Sequence, residues 1–202
     1  MFKLYFCDIN LITDEEFERE LKELPILRRR EILKYREYDR QKLSLAGDVL
    51  AKRAILELSG KTEKPIFAKG QNGKPYCINY AYHFNVSHSK KYTVVAVSDK
   101  PIGVDVEVIR PFSASAAAKI LTDEEKDYVV LDNIKEKRNE RFFKLWCAKE
   151  AYLKLIGTGL KGGIKSLALS FKDGKLKNDK NIIIKYSNEL VDAVVAIAQE
   201  NN

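Results

Sequence analysis

Cys147-Ala148-Lys149-Glu150-Ala151-Tyr152-Leu153-Lys154-Leu155-Ile156-Gly157 is a weak copy of Leu50-Ala51-Lys52-Arg53-Ala54-Ile55-Leu56-Glu57-Leu58-Ser59-Gly60, with Ala148 standing 97 residues after Ala51. Both stretches carry apolar residues at helical spacing and stop at a glycine, so each reads as the end of an amphipathic helix. Two further pairs keep the same order. Thr13-Asp14-Glu15-Glu16 and Thr122-Asp123-Glu124-Glu125 are both helix starts with capping-box chemistry, and Tyr92-Thr93-Val94-Val95-Ala96-Val97 resembles Asp192-Ala193-Val194-Val195-Ala196-Ile197. Three matches in one order describe a duplicated unit of about 100 residues. Each copy reads as helices with strands, the last strand strongly apolar, which gives an α+β fold built twice. The expectation is two similar α+β lobes related by a pseudo-twofold, residues 1–100 and 101–202, joined at Lys100-Pro101, with a ligand site at the seam.

That seam is where the acids stand. In Pro101-Ile102-Gly103-Val104-Asp105-Val106-Glu107-Val108 the aliphatic residues alternate with Asp105 and Glu107, the pattern of a strand with one face in a core. The two carboxylates then share the other face, roughly 7 Å apart along the strand. Asp is a poor strand former, so its presence asks for a reason. A hard metal ion is one reason; a solvent-facing strand fits the pattern alone equally well.

The helix expected over about residues 139–156 supplies a third acid. Phe142, Leu145, Trp146, Tyr152, Leu153 and Ile156 form one apolar stripe, with Glu150 at its flank and Lys154 a turn further on. A surface ion pair would explain Glu150 and Lys154. In the first half, however, the equivalent residues are Arg53 and Glu57, so the copies agree in packing and differ in charge. If this flank faces the strand, Asp105, Glu107 and Glu150 converge as three oxygen ligands, which suits magnesium, and Lys154 beside them suits a pyrophosphate. Lys149 falls inside the apolar stripe, where an unpaired ammonium would be costly.

Composition narrows the chemistry. With 45% hydrophobic residues and 10% aromatics, 202 residues suffice for a packed core. The start of the chain lacks the pattern of a signal peptide and no run approaches a membrane span, so a cytoplasmic protein is expected. Cys7, Cys77 and Cys147 are far apart and odd in number, and only His83 and His88 are present, which disfavours disulfides and zinc. A net charge of +7 points to an anionic partner. Arg28-Arg29-Arg30 and the residues up to Lys42 concentrate cations, although the interspersed acids make a solvated helix face an equal explanation.

Two loops could grip phosphate. Asn85-Val86-Ser87-His88-Ser89 places hydroxyls and an imidazole at a strand entry, where a structural histidine is the plainer reading. Asn72-Gly73-Lys74-Pro75 is first a turn, with a lysine that could reach an anion. Gly157-Thr158-Gly159-Leu160-Lys161-Gly162-Gly163 follows a helix instead of opening one, so it reads as a cap and a connection.

Gly103-Val104-Asp105-Val106-Glu107 and Trp146-Cys147-Ala148-Lys149-Glu150-Ala151-Tyr152-Leu153-Lys154 together resemble the two signatures of the 4′-phosphopantetheinyl transferase superfamily. Gly73-Lys74-Pro75, Phe84-Asn85-Val86-Ser87-His88-Ser89 and Leu45-Ala46-Gly47-Asp48-Val49-Leu50 are similar to its upstream motifs, and the duplication resembles its monomeric two-lobed group, typified by the surfactin synthetase activator. The resemblance implies that the serine of an apo acyl or peptidyl carrier protein attacks the β-phosphate of coenzyme A, releasing 3′,5′-ADP. It implies Mg²⁺, or Mn²⁺ in its place, on Asp105, Glu107 and Glu150, with Glu150 or a metal-bound water taking the serine proton. Lys154 would stabilise the pyrophosphate, Lys149 would lie beside the reacting centre, Ser87 and His88 would contact coenzyme A phosphates, and Lys74 would lie near the nucleotide. For the 3′-phosphate both Arg40 and Lys42 are candidates. Glu125 resembles a family acid near the site, although capping explains it. No nucleic-acid or membrane partner is implied; a basic nucleic-acid-binding protein or metal-dependent nuclease is the alternative, and the aromatics offer it no basic stacking platform.

Overall fold

The structure is a computed structural model and describes residues 2–70, 73–158, 163–167, 170–172, 175–177 and 182–200. The first half runs through strand β1 (Phe2–Asp8), helices α1 (Asp14–Lys22), α2 (Ile26–Leu33) and α3 (Tyr38–Ser59), a hairpin of β2 (Phe67–Lys69) and β3 (Pro75–Cys77), and strands β4 (His83–Ser89) and β5 (Tyr92–Ser98). The second half begins at β6 (Ile102–Val108) and continues through α4 (Ala114–Ile120), α5 (Asp123–Val130) and α6 (Lys135–Ile156). It ends with β7 (Ser170–Lys172), β8 (Lys175–Lys177), β9 (Ile182–Ser187) and β10 (Ala193–Glu200).

The strand order repeats. One sheet is β1-β5-β4 and the other β6-β10-β9-β8-β7, so in both halves the last strand lies between the first strand and the one before it. These pairings are antiparallel, with Leu4 opposite Ala96 in one half and Val104 opposite Ile197 in the other. β5 and β10, the apolar strands matched in the sequence, are thus the central strands, buried along most of their length. The two long helices end alike, at Gly60 and Gly157, whose φ values of 64° and 73° need a residue without a Cβ. Their N–H groups donate to the Leu56 and Leu153 carbonyls. Thr13 and Thr122 both complete capping boxes, with Glu16 and Glu125.

α6 starts earlier than the sequence suggests, because Lys135-Glu136-Lys137-Arg138 has no apolar residue to mark the face. Phe142, Leu145, Tyr152 and Leu153 are buried as expected, whereas Ile156, the last helical residue, is exposed. Val94 and Ala96 of β5, Val104 and Val106 of β6, and Val195 and Ile197 of β10 form one core cluster, so the two sheets share an apolar interior. The other face of β6 is covered as well, by α6, and the strand is therefore buried on both faces where its alternation suggests one.

The close approach of α6 depends on Gly103. A Cβ there would stand 2.0 Å from the Ala151 carbonyl oxygen and 2.6 Å from the Leu155 nitrogen, both backbone atoms that cannot swing away. Opposite it the helix presents small residues, the buried Ala148 and Ala151. Gly103→Ala is expected to cost about 3 kcal/mol or more, because the helix must lift off the strand. Urea denaturation measures this; a loss below about 0.5 kcal/mol would show that the contact is not tight.

Candidate active site

Where β4 meets β6, the two edges are joined through side chains. The N–H groups of Val104, Val106 and Val108 donate to Asn85 Oδ1, Ser87 Oγ and Ser89 Oγ at 2.9, 3.3 and 3.3 Å. Each serine hydroxyl then donates onward, Ser87 to Asp105 Oδ1 at 2.8 Å and Ser89 to Glu107 Oε2 at 2.7 Å. The alternation of the strand decides this, since residues 104, 106 and 108 turn their amides toward β4 while the acids between them project to the α6 side.

Lys154, near the end of α6, reaches the same place. Its ammonium bonds Asp105 Oδ1 and Ser87 Oγ, each at 2.7 Å. Asp105 is 5% exposed, and its other oxygen, Oδ2, is buried without an N–H or O–H donor, the Cys147 thiol being a weak donor to this carboxylate. A buried carboxylate oxygen left unpaired is costly, and a bound cation would satisfy it. Glu150, one turn before Lys154, completes the group: burial raises its pKa, the Asp105 and Glu107 charges add to the rise, and Lys154 opposes it. Three carboxylates therefore share one field, and all their donor atoms are oxygen, which fits a hard divalent ion and not a thiophilic one. Among the described residues no group of three His, Cys, Asp or Glu side chains is arranged ready to hold an ion. Two of the acids are paired with cations, Asp105 with Lys154 and Glu107 Oε2 with Arg110 Nη1 at 2.8 Å.

A cleft of about 600 Å³ opens beside Glu107. Its walls carry the cations Arg40, Lys90, Lys91 and Arg110, with His88 and Ser89, and the acids Glu37, Asp39 and Glu107, so positive charge outnumbers negative by one. Partial burial lowers the His88 pKa, and the Lys154 and Arg40 charges lower it further, which leaves a neutral imidazole able to donate one hydrogen bond. Arg40 is on the wall and more than half exposed, whereas Lys42 turns inward to the Ile12 carbonyl at 2.8 Å and lies over the Tyr38 ring. Of the two candidates for a phosphate contact, Arg40 alone lines the cleft.

The other site residues foreseen in the sequence are not on the cleft wall. Lys149 is fully buried and bonds Glu125 Oε2 at 2.6 Å and the Ile120 carbonyl at 2.8 Å, holding the start of α5 against α6. Glu125 thus serves as both the capping acid and the counter-charge that the apolar stripe requires. Lys74 places its ammonium on the Lys154 and Leu155 carbonyls, at 2.7 and 3.1 Å, at the C-terminal end of α6, where a cation complements the helix dipole. Burial lowers its pKa. Ser87 is buried at the strand seam and is not on the cleft wall. Arg28 is held by Asp48, Glu31 and Ser44 and is no free anion contact. The three cysteines are unpaired thiols, and burial with the Asp105 and Glu107 charges pushes the Cys147 thiol well up. Asn72 and residues 159–162 lie outside the described residues, while Gly73 has the positive φ expected of its turn. Arg110 went unseen, since it stands just past the strand with no pattern to mark it. Ser89, foreseen with Ser87 as a hydroxyl for phosphate, bonds Glu107 instead.

Comparison with known proteins follows the same division. Residues 12–100 match the family described as 4'-phosphopantetheinyl transferase, N-terminal, and residues 101–195 match the 4'-phosphopantetheinyl transferase superfamily. The chain is 38% identical to the 4'-phosphopantetheinyl transferase psf-1 of Bacillus pumilus, over 61% of this chain and 53% of that protein. It is 30% identical to the 4'-phosphopantetheinyl transferase ffp of Bacillus subtilis, over 82% and 75%. A solved holo-[acyl-carrier-protein] synthase from Thermotoga maritima is similar at 23% identity over 50% of this chain and 64% of that one, with a TM-score of 0.42, too low to bear on the fold. The chain spans about half the length of the Bacillus pumilus relative. It belongs to the 4'-phosphopantetheinyl transferase superfamily. More narrowly, the N-terminal match ahead of the superfamily match makes it one of the two-domain type. Among the described residues no helix is long and apolar enough to cross a membrane.

The buried pair offers a test of its structural role. Lys149→Met leaves the Glu125 carboxylate buried without its cation and is expected to cost about 3 to 5 kcal/mol. Lys149→Met with Glu125→Gln, which strands no charge, should recover a large part of that in the same urea denaturation. Equal losses in the two proteins would contradict the pairing.

Proposed function

We propose that the protein transfers the 4′-phosphopantetheine group of coenzyme A to a serine of an apo acyl or peptidyl carrier protein, releasing 3′,5′-ADP. The observation that carries this is the buried Asp105 Oδ2, without an N–H or O–H donor, in the field of Glu107 and Glu150, with Glu107 on the wall of the cleft that Arg40 and His88 also line. Family membership supports the reaction, and the net charge of +7 favours approach by an acidic carrier.

In this reading Asp105, Glu107 and Glu150 hold Mg²⁺, which when bound neutralises the pyrophosphate charge as the β-phosphorus to oxygen bond breaks. The protein's own part is positioning and charge, as in other phosphoryl transfers. Arg40 and His88 on the cleft wall bind phosphate oxygens of coenzyme A, Arg40 at the 3′-phosphate. Lys154 leaves its ammonium near the leaving 3′,5′-ADP, while Ser87 keeps Asp105 oriented. Glu150 accepts the proton of the carrier serine. Lys149 and Lys74 act at a distance, the first by fixing α5 to α6 and the second by tying the β2–β3 hairpin to the end of α6.

The two lobes, residues 1–100 and 101–202, divide the work, the first supplying Arg40 and His88 and the second the acids and Lys154. The protein works as a monomer in the cytoplasm, where coenzyme A and carrier proteins meet and its thiols stay reduced.

Incubation with coenzyme A, Mg²⁺ and a panel of apo carrier proteins should add the phosphopantetheine mass to at least one carrier, read by mass spectrometry. Asp105→Ala and Glu150→Ala should each lower the rate about 100-fold or more with the fold retained by circular dichroism. No mass shift on any carrier would overturn the function, and near-normal rates in either variant would overturn the roles of the acids.

A further inference from the structure

Five described residues have positive φ, and four of them are glycines: Gly60, Gly73, Gly157 and Gly163. The fifth is Lys90, at 53°. Ser89 pairs with Tyr92 across the β4–β5 hairpin, so Lys90 and Lys91 make a two-residue loop, in which the first position favours glycine. A Cβ in the left-handed region clashes with the backbone, and lysine lacks the short polar side chain that lets asparagine or aspartate bond locally there. Something must offset the strain.

Internal contacts do not. Among the described residues Lys90 makes no hydrogen bond or ion pair, whereas its neighbour Lys91 faces Asp192 at 3.3 Å and Asp8 at 3.8 Å and lies over the Tyr92 ring. What Lys90 does is line the cleft, on the same hairpin as His88; of the other wall cations Arg40 and Arg110 already face Glu37 and Glu107, and Lys91 faces Asp192, so Lys90 is the wall cation with no acid of its own among the described residues. Strained backbone kept by a residue that stabilises nothing in the fold points to a role in binding.

We propose that Lys90 is an anion contact of this cleft, holding its ammonium for a phosphate of the bound nucleotide. The proposal rests on the reading that the cleft takes coenzyme A, and it adds a phosphate contact from the tip of the hairpin to Arg40 and His88. A glycine in its place would give a more comfortable turn and a weaker site.

Binding of 3′,5′-ADP, measured by calorimetry alongside thermal denaturation, tests this with the wild-type protein, Lys90→Gly and Lys90→Asn. Both variants should bind about 10-fold more weakly and with less dependence on salt, since one charged contact is gone. Neither should lose stability, and Lys90→Gly should gain about 2 °C in Tm. Binding as tight as wild type in both variants would overturn the proposal. So would a fall in Tm alongside the loss of binding, which would make Lys90 part of the turn's own stability. Failure of the wild-type protein to bind 3′,5′-ADP would overturn the coenzyme A reading itself, and this inference with it.

Discussion

The edge of β6 that faces the first half of the chain is closed by side chains instead of a strand, and the site depends on that substitution. Asn85, Ser87 and Ser89 accept the three amides that a neighbouring strand would otherwise have taken. Buried amides have to be paired, so this edge cannot simply be left open. Two of these partners are hydroxyls, which can also donate, and the serines pass their hydrogen bonds to Asp105 and Glu107. One set of contacts thus joins the halves and orients the acids.

Tight packing on the far face reinforces this. Gly103 lets α6 lie close enough for Lys154 to reach Asp105 and for Glu150 to share its field. Lys74 then caps the same helix from the opposite half, and Lys149 secures α5 to it with a buried ion pair. A buried pair is weak support for stability, but it gives the helix a definite neighbour. The acids remain crowded, as the upward shift at Glu150 records.

Much of the fold was legible because its devices are local. The glycine caps at Gly60 and Gly157, the capping boxes at Thr13 and Thr122 and the apolar strands β5 and β10 each lie within a few residues, and duplication showed them twice. The acids of β6 were legible from strand alternation, and Glu150 from the sign reversal against Arg53. Partnerships across the fold were not. Lys149 finds Glu125 24 residues away and Lys74 finds the Lys154 carbonyl 80 residues away, and no periodicity encodes either. The same limit left Arg40 and Lys42 equivalent in the sequence, though one lines the cleft and the other bonds the backbone. Lys90 was hidden for another reason, since its peculiarity lies in a backbone angle.

On the proposed function, Asp105, Glu107 and Glu150 form a cation site in which all the protein ligands are oxygen. Titration of the metal-free protein with Mn²⁺, followed by loss of the free-ion paramagnetic resonance signal, addresses it directly. One Mn²⁺ should bind per chain, be displaced by Mg²⁺ and be lost in both Asp105→Asn and Glu150→Gln. No binding by the wild-type protein at millimolar metal, or undiminished binding by the two variants, would contradict it.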